Sequence, residues 1–160
     1  MEENPTVHLT MTQSLVIKDE QAGKIFLNKN KINNDKFIVM NPLRYIFKHY
    51  VTGGTPSVML RNGDALRYAD GRRYSEDAIL FWEYAFNYKC VAVYIPLVAH
   101  FKSLYGEGGL TSHMWEIFKG ELENYRILRE KGYYGFGVYY CVALFAFLKF
   151  FRRKLICWIR

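Results

Sequence analysis

One stretch of this sequence carries most of its structural information: Ser75-Glu-Asp-Ala-Ile-Leu-Phe-Trp-Glu-Tyr-Ala-Phe86. A hydroxyl residue at the cap position, followed by two carboxylates in the first turn, favours the start of a helix, which we expect over Ala78 to Tyr88. A side chain at such a start faces the cleft at the edge of a sheet. A carboxylate in that place can accept a proton from an incoming hydroxyl group. Glu76-Asp77 is therefore a candidate catalytic pair.

Three stretches around this helix have the composition of strands. Val7 to Ile17 is rich in Val, Thr, Leu and Ile, Ser57 to Arg61 is a short candidate, and Cys90 to Val98 is apolar and β-branched. Turn residues after Ile17 predict a β-hairpin with Ile25-Phe-Leu27. Pro96 lies near the C-terminal end of the third stretch. There the missing N–H of proline, which cannot donate a hydrogen bond to a neighbouring strand, costs least.

Two further helices are predicted from their capping signals. Asn41-Pro42 supplies an N-cap and a proline at the first helical position. Thr111 or Ser112 caps a longer helix that runs through Lys131 and that Gly132 ends. Five apolar side chains fall on one face of this helix at spacings of three and four: Trp115, Phe118, Leu122, Tyr125 and Leu128.

The net charge of the chain is positive and unevenly distributed. The 160 residues are 51% hydrophobic, enough for the core of one domain, and carry a formal charge of +7. A basic cluster beside an apolar stretch is more typical of the cytoplasmic face of a membrane than of a nucleic-acid groove, so we expect no nucleic-acid partner. The residues after Leu148 include five basic and no acidic side chains: Lys149, Arg152, Arg153, Lys154 and Arg160.

The seventeen residues from Gly132 to Leu148 carry no charge. This length is at the short end of the ~17–25 residues that a membrane-spanning helix needs, and Lys149 interrupts the apolar run. The segment could cross a bilayer obliquely, re-enter it, lie in its interface or be a buried helix of a soluble protein. We favour interfacial anchoring of residues 132–160 on the cytoplasmic face of the cell membrane, with residues 1–131 as the folded domain.

Several classes of site are excluded by the sequence. Cys90, Cys141 and Cys157 are too far apart for a Cys-x-x-Cys zinc or redox site, and the four histidines share no metal-ligand spacing, so no metal site is predicted. Phosphate-binding loops, dinucleotide fingerprints, zinc-protease motifs and serine-hydrolase motifs are also missing. The spacing of the cysteines is typical of core or membrane-facing residues in a reducing compartment. The acidic, polar N-terminus shows no signal peptide, so we expect it to stay in the cytoplasm.

Two glycine-containing segments accompany the acidic pair. Thr52-Gly-Gly-Thr-Pro-Ser57 lies upstream of it, and Lys102 to Leu110 follows the apolar strand. An acidic pair in the first turn of a helix needs, by itself, no role beyond the helix dipole. Three loop or helix-start elements at strand ends, however, are the layout expected at the rim of an α/β active site.

Four segments form a recognisable series: Thr52-Gly-Gly-Thr-Pro-Ser-Val-Met-Leu-Arg61, Tyr74-Ser-Glu-Asp-Ala-Ile-Leu-Phe-Trp82, Pro96-Leu97 and Tyr105-Gly-Glu-Gly-Gly-Leu-Thr-Ser112. With them, the chain from about residue 4 to residue 134 resembles the C-terminal half of a family 2 glycosyltransferase with the GT-A fold. Such an enzyme is inverting, uses a nucleotide sugar, and builds polysaccharides of the bacterial cell envelope. The resemblance implies an α/β fold, with a partial GT-A-like mixed sheet and flanking helices. The apolar and basic composition of residues 132–160 predicts that an apolar or amphipathic helix associated with the membrane follows this fold.

The resemblance also implies roles for individual residues. Asp77 would be the base that deprotonates the acceptor hydroxyl for its attack on the anomeric carbon of the donor. Glu76 would orient Asp77 or contact the acceptor. The implied substrate-binding residues, on the acceptor side and towards the leaving-group phosphate, are Thr52, Gly53, Gly54, Thr55, Trp82, Lys102 and Tyr105.

One part of the family pattern is missing from this sequence. Family members begin with a nucleotide-binding βαβ half whose Asp-x-Asp motif holds a divalent cation, Mg or Mn, against the donor diphosphate. The stretch from Glu3 to Val7 resembles the region that follows this motif. The resemblance therefore implies no cofactor within this chain. It implies a nucleotide-sugar donor and a glycan or lipid-linked acceptor in the complete enzyme, and pairing with a donor-binding half or with a second copy.

Two other classes of function stay open at this point. One is a non-catalytic, membrane-associated module that binds a glycan or a partner glycosyltransferase through the acceptor side. The other is a small membrane-anchored structural protein without sugar chemistry. The latter predicts that Asp77 is solvated and remote from Gly53 and Lys102.

Overall fold

The computed structural model describes residues 4–16, 37–48, 50–51, 54–68, 71–100 and 113–159. The chain divides into two compact units, the first made of Met1–Leu66 with Tyr84–Ser103 and the second of Arg67–Glu83 with Leu104–Arg160. Strands and helices are mixed along it. In chain order they are β1 (Val7–Val16), β2 (Phe37–Val39), α1 (Pro42–Phe47), a 3₁₀ turn (Thr55–Ser57), β3 (Val58–Leu60), α2 (Glu76–Asn87), β4 (Lys89–His100), α3 (Met114–Glu130) and α4 (Phe136–Ile159).

The described strands form one mixed sheet in the first unit, in the order β2-β4-β1-β3. β1 runs parallel to β4 and antiparallel to β3, and β2 is antiparallel to β4. Alternate side chains of β1 enter the core, because successive residues of a strand point to opposite faces. Leu9 is fully buried and pairs with Cys90 of β4 on one side and Leu60 of β3 on the other. The predicted α/β class and mixed sheet are confirmed.

The three predicted strands are present, with small changes of length. Pro96 pairs with Gln13 at a point where the register between β1 and β4 shifts, as expected of a residue that cannot donate to the ladder. The predicted hairpin partner Ile25-Phe-Leu27 lies outside the described residues. The short edge strand β2 was not expected from the sequence pattern.

Helix α1 begins as its sequence predicts. The side chain of Asn41 accepts a hydrogen bond from the backbone N–H of Arg44 at 2.9 Å, and Pro42 occupies the first turn. Asn41 also donates its own N–H to the hydroxyl of Tyr50 at 2.8 Å. The cap therefore satisfies one of the unpaired N–H groups at the helix start.

Helices α3 and α4 pack against each other in the second unit. Phe118 of α3 stacks on Phe150 of α4 at 4.9 Å, and the guanidinium of Arg129 lies 4.7 Å from the ring of Phe136, so the two helices run antiparallel. Gly132, with a φ of 80°, ends α3. The N–H of Gly132 donates to the carbonyl of Arg129, and the N–H of Tyr133 donates to the carbonyl of Leu128. This is the Schellman pattern that glycine favours, and it confirms the predicted stop.

The start and one face of α3 differ from expectation. The helix begins at Met114 with His113 at the cap position, so the predicted cap at Thr111 or Ser112 is wrong. His113 makes no capping bond with its side chain, and its ring packs near that of Tyr74 at 5.9 Å. On the predicted apolar face, Phe118, Tyr125 and Leu128 are buried, whereas Trp115 is exposed.

The C-terminal segment is one continuous helix from Phe136 onwards, and it shares its core with α3. In the described part of the chain, no helix combines the length and the hydropathy that crossing a membrane requires.

Candidate active site

The acidic pair lies where the sequence places it, at the start of α2. Glu76 and Asp77 form the first turn and are both half-buried. The Oδ1 atom of Asp77 accepts a hydrogen bond from the backbone N–H of Ala78 at 2.8 Å. Negative charge is favoured at this end of a helix because the first backbone N–H groups point outwards there.

Ser75 occupies the predicted cap position, immediately before Glu76. Its φ is 59°, in the left-handed region, and its hydroxyl donates to the carbonyl of Ile117 in α3 at 3.3 Å. A non-glycine residue in this conformation costs roughly 1–2 kcal/mol. Contacts with α3 must therefore offset the strain immediately before the acidic pair.

Those contacts come from consecutive turns of α3. The side chain of Asn124, which has no exposed surface, donates from Nδ2 to the carbonyl of Ser75 at 2.7 Å. One turn earlier Gly120 comes so close that a Cβ on it would lie 2.7 Å from the carbonyl oxygen of Tyr74. The Nη2 atom of Arg72 donates to the carbonyl of Gly120 at 3.3 Å. Together these contacts fix residues 72–75 on α3 and hold the start of α2 in place.

Tyr68 lies within electrostatic reach of the acidic pair. Partial burial, followed by the negative charges of Asp77 and Glu76, raises the pKa of its phenol. The phenol thus keeps its proton at neutral pH and can donate a hydrogen bond. Nothing in the sequence pattern distinguishes Tyr68 from the other twelve tyrosines.

Trp82 lies one and a half turns into α2 and faces inwards. Only 2% of its surface is exposed, and its indole stacks on the ring of Tyr125 at 5.3 Å. In this structure the indole packs α2 against α3 and presents little surface to a ligand. Its predicted part in substrate binding stays a prediction.

Gly54 and Thr55 belong to the first unit. Gly54 opens the 3₁₀ turn with φ −92° and accepts bonds from the N–H and the hydroxyl of Ser57 at 2.9 and 2.7 Å. Both residues are exposed. A Cβ atom placed on Gly54 would lie 3.7 Å from the side chain of Pro56, which is an ordinary van der Waals distance. The remaining predicted substrate residues, Thr52, Gly53, Lys102 and Tyr105, lie outside the described residues.

A second polar cluster lies in the first unit. The Nδ1 atom of His8 is 2.9 Å from Oδ1 of Asp64, and its ring stacks on Tyr88 at 4.4 Å. His8 therefore has a structural partner on each side. Over the described ranges, no group of His, Cys, Asp and Glu side chains is arranged to hold a metal ion.

Comparison with known proteins gives no relative. No family model matches the sequence, no curated protein matches it, and no solved structure matches the fold. The function has to be inferred from the residues and their geometry.

Proposed function

We propose that this chain is the acceptor-side half of an inverting glycosyltransferase of the family 2 type, with a GT-A-like fold, and that Asp77 is its general base. The main support is the arrangement at the start of α2. Two half-buried carboxylates follow a residue held at φ 59°, and α3 contacts that residue through Ile117 and Asn124. Backbone strain that is stabilised by neighbours in this way clusters at functional sites.

The proposed reaction is a single displacement. Asp77 accepts the proton of the acceptor hydroxyl while the hydroxyl oxygen forms a bond to the anomeric carbon of the donor sugar. The bond from that carbon to the nucleotide diphosphate breaks, and the leaving oxygen keeps the electron pair. The configuration inverts because the attack comes from the opposite face. A positioned general base contributes roughly 10²–10⁴-fold to such a rate.

Neighbouring side chains would position the acceptor. The Tyr68 phenol, which is protonated at neutral pH like an ordinary tyrosine, donates a hydrogen bond to a sugar oxygen. Glu76 orients the acceptor or Asp77. Gly54 and Thr55, in the first unit, keep the role in acceptor binding that the resemblance implies, since a glycine without a Cβ lets a sugar approach the backbone.

The nucleotide sugar would be bound elsewhere. In the family that this chain resembles, a divalent cation on the Asp-x-Asp motif of the nucleotide-binding half holds the donor diphosphate, and this sequence contains no Asp-x-Asp. We therefore assign the donor and its cation to a separate donor-binding half. The present chain supplies the base and the acceptor contacts.

Acceptor binding can be tested on the chain alone by saturation-transfer NMR with a panel of mono- and oligosaccharides. We expect binding to at least one class of sugar and a ~2–10-fold loss of affinity in Tyr68→Phe, as for removal of one neutral hydrogen bond. Tyr140→Phe is the matched control, because Tyr140 is exposed on α4. Asp77→Asn should retain binding, since its proposed role is to take a proton.

Absence of binding to any sugar, or equal effects of Tyr68→Phe and Tyr140→Phe, would count against this acceptor site. Binding without transfer, once a donor-binding half is supplied, would indicate a non-catalytic binding module instead.

A further inference from the structure

Helix α4 presents an apolar face to solvent along most of its length. We call it the outer face and define it by Tyr140, Leu144, Phe147, Phe151, Leu155 and Trp158, which follow one another at helical spacings of three and four. Between 47% and 84% of each side chain is exposed, and Trp158 is the most exposed of the six. Large apolar surfaces of this kind mark contact sites for proteins or membranes.

The outer face is distinct from the side of α4 that holds the fold together. Val142, Ala146 and Phe150 are buried on that other side, and Phe150 stacks on Phe118 of α3. Phe147 of the outer face also approaches Phe118, with 6.4 Å between the ring centroids, but about half of its surface stays exposed. At its C-terminal end the outer face continues into a groove of about 800 Å³ whose lining includes Trp115 and Met114 of α3.

The charged side chains of α4 beside the outer face are all basic, and Glu116 of α3, which also lines the groove, pairs with Lys119 at 2.8 Å. Arg152 and Lys154 are exposed, and they lie next to Phe151 and Leu155 on the last turns of the helix. No acidic residue occurs between Lys131 and the end of the sequence. Lys149 is not part of this charge, because it forms an ion pair with Glu121 of α3. An apolar stripe with basic flanks complements a bilayer that contains anionic lipids.

The geometry also restricts how the helix can meet a bilayer. Helix α4 has 24 residues, which corresponds to a length of about 36 Å. Its apolar surface follows one side of that length, and its other side carries the contacts with α3. Among the described helices none is suited to cross a membrane. A helix with these properties lies parallel to the surface, with its apolar side chains inserted below the headgroups.

We propose that the outer face of α4 docks this protein on an anionic lipid bilayer, with α4 parallel to the surface and Arg152 and Lys154 at the headgroups. Trp158, which is amphipathic and almost fully exposed, lies at the boundary between headgroups and acyl chains. This docking goes beyond the sugar chemistry proposed above and does not depend on Asp77.

Vesicle co-sedimentation of the full chain tests the proposal. Neutral phosphatidylcholine vesicles are compared with vesicles in which about a third of the lipid is phosphatidylglycerol. We expect binding to the anionic vesicles and ~5-fold weaker binding for each charge removed in Arg152→Gln and Lys154→Gln. Phe147→Ser with Phe151→Ser should weaken binding at least tenfold, because two aromatic side chains no longer enter the bilayer.

Matched control variants distinguish binding through the outer face from non-specific binding and from the effects of misfolding. Met59→Ser with Leu97→Ser removes two equally exposed apolar side chains from strands, and Lys48→Gln with Lys89→Gln removes two exposed charges elsewhere. Both control pairs should bind as the parent does. The tryptophan emission should shift to shorter wavelength on anionic vesicles, and Trp158→Phe should reduce that shift, the remainder coming from Trp115 in the adjoining groove.

Three results would overturn the proposal. The first is no binding to either vesicle. The second is equal affinity for neutral and anionic vesicles, together with an affinity that the Phe147→Ser, Phe151→Ser double change does not lower. The third is a concentration-dependent dimer in sedimentation equilibrium that this double change dissociates, since the outer face would then bind a second copy of the chain.

Discussion

Asn124 donates a hydrogen bond from its side-chain Nδ2 to the backbone carbonyl of Ser75, over 2.7 Å and in a fully buried position. The bond connects the middle of α3 to the residue that immediately precedes Glu76 and Asp77. Ser75 is the only described non-glycine residue with a positive φ. The geometry of the acidic pair thus depends on Asn124, which lies 49 positions beyond Ser75 and in a different helix.

Replacing Asn124 should destabilise the protein and loosen the start of α2. We expect Asn124→Ala to lower the free energy of unfolding by ~1–3 kcal/mol, because a buried carbonyl loses a donor. Urea denaturation followed by tryptophan fluorescence measures this change, and amide exchange at Ala78 should become faster. Asn62→Ala, at an exposed turn, is the control and should stay within ~0.5 kcal/mol of the parent. Equal stability of the two variants would contradict the role of Asn124.

Replacement by alanine should change the stability of the protein in opposite directions at Gly120 and at Gly137. A Cβ on Gly120 would lie 2.7 Å from the backbone oxygen of Tyr74, whereas nothing lies within 4 Å of the corresponding point on Gly137. We expect Gly120→Ala to cost ~1–3 kcal/mol through overpacking. Gly137→Ala should be neutral or stabilising by up to ~1 kcal/mol, from helix propensity alone. Thermal denaturation of both variants checks the signs, and a stabilised Gly120→Ala variant would refute the close approach.

Lys149 should matter for folding, because it pairs with the buried carboxylate of Glu121. Glu121 also accepts a hydrogen bond from the hydroxyl of Tyr125 at 2.9 Å. Lys149→Met would leave this carboxylate without its cation, at a cost of ~1–3 kcal/mol, since Lys149 retains some contact with water. Lys119→Met removes an exposed lysine that pairs with Glu116 and should cost at most ~0.5 kcal/mol. Denaturant unfolding compares the two, and similar costs would contradict the importance of the buried pair.

The three cysteines should differ sharply in reactivity. Cys90 is buried, and burial raises the pKa of its thiol from 9.0 to about 12, whereas Cys141 is exposed. At pH 8 a disulfide reagent should modify Cys141 at least a hundredfold faster than Cys90, because the thiolate is the reacting form. Peptide mapping after timed labelling distinguishes the sites, and equal rates would show that Cys90 is accessible in the folded protein.

The same pKa difference predicts a dependence of stability on pH. The unfolded chain loses the Cys90 proton near pH 9, whereas the folded chain keeps it to about pH 12. The contribution of this residue to stability therefore falls as the pH rises from 9 towards 12. Cys90→Ala should remove that part of the slope, as measured by urea midpoints at a series of pH values, and an unchanged slope would contradict the assignment.

The parts of the fold that depend on local chemistry could be predicted from the sequence. Asn41 and Gly132 act as predicted because a cap and a left-handed stop involve only a few neighbouring residues. The buried strands β1 and β4 were recognisable for a similar reason, since apolar β-branched runs form wherever both faces are covered.

Other features depend on contacts between residues far apart in sequence. The hydroxyl of Ser75 donates to the carbonyl of Ile117 in α3, a contact that the cap signal at the start of α2 does not predict. The isolated Gly120 within a helical pattern was a signal of close packing, yet its partner, Tyr74, could not be identified from spacing. The position of Tyr68 near Asp77 has no signature at all. The catalytic role of Asp77 and the predicted substrate contacts stay predictions.

The central claim is tested most directly by the rate of sugar transfer with Asp77 altered. The chain is combined with a donor-binding βαβ half that carries an Asp-x-Asp motif. The initial rate of sugar transfer from radiolabelled nucleotide sugars is then measured for the parent and for the Asp77→Asn and Glu130→Gln variants. Glu130 is an exposed carboxylate at the end of α3 and serves as the control. If Asp77 is the base, the rate should fall ~10²–10⁴-fold in Asp77→Asn and stay unchanged in Glu130→Gln. A parent that transfers sugar, with Asp77→Asn transferring it equally fast, would contradict the assignment of Asp77 as the base.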